Sequence, residues 1–133
     1  MIKRKSIYLK GIKKLKVEKE IEQIENDKIV VKVKSCGICS SDLKFINTGS
    51  RISKFPIILG HEISGELKKN KFVVFGAEIP CGKCESCKKF KGETNLCNNP
   101  ISVGSNFNGG FSNYFVISKK IFSKIPHITY TAS

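Results

Sequence analysis

The sequence predicts a mainly β domain with short helices, arranged as an open barrel or a sandwich. Short runs of strand-forming residues are separated by turn residues along most of the chain, a spacing typical of all-β folds. One segment, Ser40–Ile46, carries apolar residues at helical spacing. The chain has 133 residues, of which 40% are hydrophobic, and this suffices for one core. We therefore expect a single domain over residues 1–133.

Three strands are predicted in the first part of the chain. Ser6–Leu9 and Leu15–Glu18 are short runs of strand-forming residues, and the polar segment Glu20–Lys28 is predicted to be a link. Lys28–Lys34 gives the clearest signal, because it is rich in β-branched residues and ends with valines that alternate with lysines. That alternation is typical of a half-buried strand.

A short helix is predicted over Ser40–Ile46. Either Ser40 or Ser41 has the side chain of an N-cap, and Asp42 would lie near the positive end of the helix dipole. The helix is expected to end near Gly49, since glycine favours the left-handed conformation that ends many helices.

The second half of the chain contains further strand signals. Phe55–Leu59 is an apolar run, and Ile63–Leu67 is predicted to pair with Phe72–Phe75 as a hairpin across Lys68–Lys71. Phe111–Ile117, after two glycines, is predicted to be the last strand. Its aromatic residues are expected to form one packed core face.

The charge balance is strongly basic, with 24 Lys and Arg against 11 Asp and Glu and a net charge of +13. Such a charge attracts nucleic acid non-specifically. The lysines are scattered along the chain and not interleaved with aromatic residues on one element, so nucleic-acid binding is not the favoured interpretation. No apolar run is typical of a signal peptide or a membrane span, and we expect a cytoplasmic protein with no membrane partner.

Four of the six cysteines lie in the loop 80–100 and predict a metal site. They are Cys81, Cys84, Cys87 and Cys97. The alternatives are free thiols or disulfides, but residues three apart rarely meet disulfide geometry and cytoplasmic thiols are normally reduced. Four thiolates satisfy tetrahedral zinc and leave no open position, so this ion is expected to be structural.

A second group of chemically active side chains surrounds another CxxC pair. It comprises Cys36, Cys39, Ser41, Asp42, His61 and Glu62. The pair alone is compatible with a redox couple, half a zinc site or two small buried residues. A thiolate, an imidazole and a carboxylate beside a hydroxyl suit a catalytic zinc with one position left for a substrate oxygen.

Several motifs, in this order, resemble the zinc-dependent medium-chain alcohol dehydrogenases, and within them the polyol and threonine dehydrogenase branch. The family's N-terminal catalytic domain is an open β-barrel of the GroES-like fold with a zinc-binding loop lobe. The resemblance rests on Cys36-Gly37-Ile38-Cys39-Ser40-Ser41-Asp42, Gly60-His61-Glu62, the four-cysteine loop, Gly109-Gly110-Phe111-Ser112-Asn113-Tyr114 and Lys124-Ile125-Pro126.

The resemblance implies a role for each residue of the second group. Cys39 and His61 would bind the catalytic zinc, Glu62 would approach or exchange onto it, and Cys36 would not be a ligand. Ser41 would pass the proton of the substrate alcohol outward, although it is also a candidate helix cap. Asp42 would orient the ligand histidine. The substrate would be a small alcohol, oxidised by hydride transfer to NAD or NADP.

The resemblance also implies parts that these 133 residues do not contain. The family continues into a nucleotide-binding domain, and that region supplies a further zinc ligand. We therefore expect a truncated or split chain that is inactive alone, binds no NAD(P) by itself and requires a separate nucleotide-binding chain.

The alternative is a stand-alone basic zinc module that binds nucleic acid as a zinc ribbon. Its ligands would be Cys36, Cys39, Cys81 and Cys84. The interval between these two CxxC pairs greatly exceeds the usual ribbon spacing of about 15–20 residues.

Overall fold

The computed structural model describes residues 1–90, 94–124 and 127–131. The strands are β1 (Ile2–Gly11), β2 (Lys14–Glu22), β3 (Lys28–Gly37), β4 (Ile57–Ile58), β5 (Glu62–Lys68), β6 (Lys71–Phe75), β7 (Glu78–Ile79), β8 (Ile101–Ser102), β9 (Tyr114–Ser118) and β10 (His127–Thr131). The helices are α1 (Ser40–Thr48), α2 (Glu85–Lys89) and α3 (Lys119–Phe122), with a 3-10 turn at Thr94–Leu96. The predicted mainly β class with short helices is confirmed. The motif at Lys124-Ile125-Pro126 lies partly outside the described residues.

The strands of the described residues form three sheets. One has the order β2-β1-β4, the second β10-β6-β5-β3-β9, and β7 pairs with β8 as a small third sheet. All of the strand pairs are antiparallel. The architecture is therefore an open assembly of sheets, as predicted. No helix within the described part of the chain is long and apolar enough to cross a bilayer.

Strand β3 lies at the centre of the main core. Val31 is fully buried, Val33 is half-buried and Lys32 is exposed, so the predicted alternation is confirmed. The strand pairs with β5 on one side and β9 on the other, and buried residues of both strands pack against Val31. A second core cluster lies between β1, α1 and the segment around β4.

The first two strands form a long hairpin with the register Ile2↔Glu22 to Gly11↔Lys14. Both strands extend beyond the predicted segments, so the link between β2 and β3 shrinks from Glu20–Lys28 to residues 23–27. Arg4 of β1 forms cross-strand ion pairs with Glu20 and Glu22 of β2, and these contacts stabilise the pairing beyond the predicted end of β2 at Glu18.

The β5–β6 hairpin confirms the predicted pairing of Ile63–Leu67 with Phe72–Phe75. Lys68 lies opposite Lys71, which leaves a two-residue turn. Asn70 takes a positive φ of 61° there, a conformation that asparagine tolerates better than most residues. The turn therefore closes without glycine.

Two strand predictions need correction. Within Phe55–Leu59 only Ile57–Ile58 pairs as a strand, with β1, because the buried segment that follows bonds to the loop 108–111 instead. The predicted last strand begins at Tyr114 and not at Phe111, and the chain continues to a further strand, β10, beside β6. Ile128 of this strand is apolar yet 71% exposed. The sequence therefore shows no alternation of buried apolar and exposed polar residues from which β10 could be predicted.

The aromatic residues around β9 do not form the single core face that was predicted. Phe115 is buried in the main cluster, where it meets Phe75 edge to face, whereas the adjacent Tyr114 faces the opposite side of the strand. Phe111 packs against the second cluster, and its backbone N–H donates to the carbonyl of Leu59 at 2.9 Å. The aromatic residues that were predicted to share one face are therefore divided between the two core clusters.

Candidate metal centres

The four cysteines of the loop 80–100 meet in space. Their Sγ atoms all lie within 4.8 Å of one another, with 3.9 Å between Cys81 and Cys87 and 4.0 Å between Cys84 and Cys97. Cys81 follows β7, Cys84 is the N-cap of α2, and Cys87 lies in that helix. Cys97 follows the 3-10 turn. The short helix thus presents two thiols toward the two that flank it.

The sulfur separations fit a tetrahedral metal site. Zinc–sulfur bonds of about 2.3 Å place the corners of a regular tetrahedron about 3.8 Å apart. Disulfide sulfurs lie about 2.0 Å apart, and all six cysteines are free thiols. The geometry therefore suits a four-thiolate ion and leaves no coordination position for a substrate.

Backbone N–H groups of the loop donate to these sulfurs. Cys81 Sγ accepts from Lys83 at 3.4 Å and from Cys84 at 3.3 Å, and Cys84 Sγ accepts from Cys87 at 3.4 Å. Donors of this kind stabilise a thiolate. The backbone N–H groups of Asn98 and Cys87 lower the pKa of Cys84 to about 6, and those of Lys83 and Cys84 lower the pKa of Cys81.

Cys87 differs from its neighbours. Burial, together with the neighbouring Cys84 thiol, raises the pKa of Cys87 to about 12. A bound cation would lower this pKa again, because its positive charge compensates the charge of the buried thiolate. The loop therefore combines thiols that ionise easily with one that needs a metal ion to do so.

A second set of ligand atoms comes from Cys39, His61 and Glu62, which also lie within 4.8 Å of one another. Cys39 is the residue before α1, His61 directly precedes β5, and Glu62 is the first residue of β5. Glu62 is exposed and its carboxylate lies over Gly37, whereas His61 is half-buried. Hydrogen bonds from Ser41 and then from His61 lower the pKa of Cys39 to about 7. Three protein ligands of these types suit a catalytic metal with an open position.

Asp42 connects the two segments that carry these ligands. Its side chain is fully buried and accepts from the backbone N–H of Cys39 at 2.9 Å and of Gly60 at 3.3 Å. His61 Nδ1 lies 3.6 Å from the same carboxylate. The carboxylate thus holds the start of α1 beside the turn that presents His61.

The N-cap prediction is wrong in its residue. Cys39 occupies the cap position in place of Ser40 or Ser41, and the capping carboxylate comes from Asp42 three residues later. The helix ends as predicted at Gly49, whose φ is 68°. Ser41 does not cap the helix, and its Oγ lies 3.4 Å from His61 Nε2.

A small cleft of about 120 Å³ opens beside Ser41 and His61. Arg51 and Glu78 also line it, and the Glu78 carboxylate accepts from the hydroxyl of Ser102 at 3.0 Å. Sequence reasoning missed these two charged residues, because each is isolated and belongs to no motif. Only the fold brings their segments to the cleft.

Cys36 does not join either metal group within the described residues. Its half-buried side chain packs against the main core and lies close to Gly60 and Gly110. Burial raises its pKa to about 11. The ligand set of the zinc-ribbon alternative is therefore not brought together, since Cys81 and Cys84 meet Cys87 and Cys97 instead.

Comparison with known proteins gives consistent matches. The family model of the alcohol dehydrogenase GroES-like domain matches residues 25–127. D-altritol 5-dehydrogenase of Agrobacterium fabrum is 36% identical over 98 residues, covering 66% of this chain and 29% of that enzyme. L-threonine 3-dehydrogenase of Vibrio parahaemolyticus is 35% identical over 138 residues, covering 89% of this chain and 40% of that enzyme.

A solved structure shares the fold over nearly the whole chain. The alcohol dehydrogenase of Thermotoga maritima superposes with a TM-score of 0.81 at 26% identity, covering 98% of this chain and 41% of that one. The chain thus spans less than half the length of these relatives.

Proposed function

The chain belongs to the alcohol dehydrogenase GroES-like domain family, and from this premise we propose that it is the zinc-binding catalytic portion of an NAD(P)-dependent alcohol or polyol dehydrogenase. The observation that carries the proposal is the convergence of Cys39, His61 and Glu62 beside a cleft that Ser41 and His61 line. In the same proposal Cys81, Cys84, Cys87 and Cys97 hold a structural zinc ion.

The residues around the cleft have distinct roles in this proposal. Cys39 and His61 would hold the metal, and the exposed carboxylate of Glu62 would be near enough to approach it. A zinc ion at such a site polarises an alcohol oxygen and lowers the pKa of its hydroxyl. The buried carboxylate of Asp42 fixes the orientation of His61, as metal-bound histidines usually require.

Ser41 is positioned to move the alcohol proton. Its hydroxyl lines the cleft beside His61, so it can accept the proton of a substrate hydroxyl while it releases its own proton to solvent water. Because Asp42 supplies the capping carboxylate, this hydroxyl is not needed by the helix terminus.

The reaction needs a hydride acceptor, which we propose to be NAD or NADP bound by a separate nucleotide-binding chain or domain. The 133 residues alone are then expected to be inactive. The free thiols of all six cysteines fit a reducing compartment, and we place the protein in the cytoplasm.

Zinc content tests the metal part of this proposal. We expect elemental analysis of the purified chain to find one tightly held zinc ion, and a second that is retained only when zinc is in excess. Cys87→Ser should release the tight ion, and His61→Ala should abolish the weaker one. Retention of the tight zinc by Cys87→Ser would contradict the assigned four-cysteine site.

A chimera tests the catalytic part. This chain would replace the corresponding domain of the Thermotoga maritima alcohol dehydrogenase, and reduction of NAD or NADP would be followed by absorbance with a panel of small alcohols and polyols. We expect activity that depends on His61. A folded, zinc-loaded chimera with the same activity after His61→Ala would show that the cleft is not the reaction site.

A further inference from the structure

Strand β2 forms an edge of the three-stranded sheet. Among the residues that the structure describes, it pairs with β1 alone, and its other side faces no strand. Its apolar side chains are open to solvent, with Leu15, Val17 and Ile21 exposed by 50%, 55% and 65%. An exposed strand edge with apolar side chains is a template for pairing with another chain.

The sequence of β2 is complementary to itself when the strand is reversed. Lys14 and Lys16 lie in its first half and Glu20 and Glu22 lie in its second half, with Leu15 and Ile21 at equal distances from Glu18. We propose that two copies of this chain associate by antiparallel pairing of β2 with β2 about a two-fold axis at Glu18. In that register the opposed pairs are Lys14 with Glu22, Lys16 with Glu20, Leu15 with Ile21, and Val17 with Lys19, each formed twice.

Such pairing uses favourable cross-strand contacts. Residues directly opposite each other in an antiparallel pair have Cβ atoms about 4.5–5.5 Å apart, and opposite charges or apolar pairs there are stabilising. The register joins the two hairpins into one continuous four-stranded sheet. It also places the apolar residues of both β2 strands on one face together with Ile7, which lies opposite Val17 within each hairpin.

Contacts within one chain already orient the acidic half of β2. Arg4 forms ion pairs with Glu20 at 2.8 Å and with Glu22 at 2.9 Å, so both carboxylates are held on the polar face of the hairpin. Glu18 would meet its own copy at the axis, which is the one like-charge pair in this register. Lys10 lies 3.0 Å from that carboxylate and Lys16 lies 3.4 Å from it, and these lysines offset the repulsion.

Sedimentation of the 133-residue chain over a range of protein concentrations tests the proposal. About 0.15 M salt screens the +13 charges over about 8 Å. We expect a reversible dimer whose dissociation constant rises by about tenfold or more in the double variant Lys14→Glu, Lys16→Glu, because four attractive pairs become repulsive. Glu18→Gln should shift the equilibrium in the other direction, since it removes the like-charge pair.

The matched control is Ile128→Lys, which changes an exposed apolar residue on β10, the edge strand of the other sheet. It should leave the dimer unchanged, and far-ultraviolet circular dichroism would verify that every variant is folded. A chain that stays monomeric at about 100 µM, or a dimer that Ile128→Lys disrupts and the β2 double variant does not, would overturn the proposal.

Cross-linking tests the register. Opposed residues of an antiparallel pair have Cα atoms about 4.5–5.5 Å apart, which is within disulfide range. In the zinc-loaded protein, Glu18→Cys should give a covalent dimer under mild oxidation, while the unaltered chain and Lys16→Cys should not. Equal cross-linking of Lys16→Cys and Glu18→Cys would show that the strands do not pair about Glu18.

Discussion

Asp42 and His61 face each other across the junction of α1 and β5, with 3.6 Å between Asp42 Oδ1 and His61 Nδ1. The same buried carboxylate accepts from the backbone N–H groups of Cys39 and Gly60. Asp42 therefore has a structural role in the helix start and an orienting role toward a candidate metal ligand.

Replacing this carboxylate should affect stability as well as the site. Asp42→Ala leaves two backbone donors without their acceptor, and we expect the free energy of unfolding to fall by about 2–4 kcal/mol. Urea denaturation of the zinc-loaded protein measures this change. Ser41→Ala is the matched control, because its hydroxyl does not cap the helix and its loss should cost less than about 1 kcal/mol. Equal losses in the two variants would contradict the assigned role of Asp42.

The thiols of Cys39 and Cys36 should differ in reactivity. With a pKa of about 7, Cys39 is about half ionised at neutral pH, whereas the pKa of about 11 keeps Cys36 protonated. In metal-free protein at pH 7 we expect iodoacetamide to modify Cys39 at least about a hundredfold faster than Cys36, as measured by peptide mass spectrometry. Added zinc should slow the reaction of Cys39.

Ser41→Ala provides the control for that difference. The Ser41 hydrogen bond is the largest contribution to the lowered pKa of Cys39, so its removal should raise that pKa and slow alkylation at pH 7. If Cys39 reacted equally fast in Ser41→Ala, the low pKa would not come from this contact.

The sequence predicted those features that depend on local spacing. The four cysteines of the loop lie within 17 positions, from Cys81 to Cys97, so short connections keep them near one another and their spacing could indicate a shared site. The alternation in β3 likewise identified its buried face. By contrast, the cleft that includes Arg51 and Glu78 depends on how distant segments pack. The side-chain preference for N-cap positions predicted Ser40 or Ser41 as the cap of α1. The N-cap is Cys39 instead, because its backbone N–H donates to the buried Asp42 carboxylate.

Gly60 is required by its conformation and by its neighbours. Its φ is 89°, and a Cβ atom there would lie 2.6 Å from Phe111 Cδ1 and 2.7 Å from Cys36 Sγ. We expect Gly60→Ala to lower the free energy of unfolding by about 2 kcal/mol or more, because strain and overpacking add. It should also weaken zinc binding at Cys39 and His61, since the turn that presents His61 must shift.

Gly11→Ala is the matched control for this substitution. A Cβ atom at Gly11 meets only Lys14 Cδ, at 3.7 Å, which is ordinary contact distance. Thermal unfolding should therefore change little in Gly11→Ala and markedly in Gly60→Ala. An unchanged melting temperature in Gly60→Ala would mean that the turn has room that the structure does not show.

Zinc affinity of the four-cysteine loop should increase with pH. At pH 7 Cys84, with a pKa of about 6, is already mostly ionised, whereas Cys87, with a pKa of about 12, is protonated in the metal-free protein. A metal ion that binds the Cys87 thiolate must displace that proton, so affinity rises by about tenfold per pH unit for each proton released. Below pH 6 protonation of Cys84 should make the dependence steeper. Competition with a chromophoric chelator between pH 5 and 8 measures the slope, and calorimetry in buffers of different ionisation enthalpy counts the protons. Affinity that does not change over this range would show that Cys87 binds no metal as a thiolate.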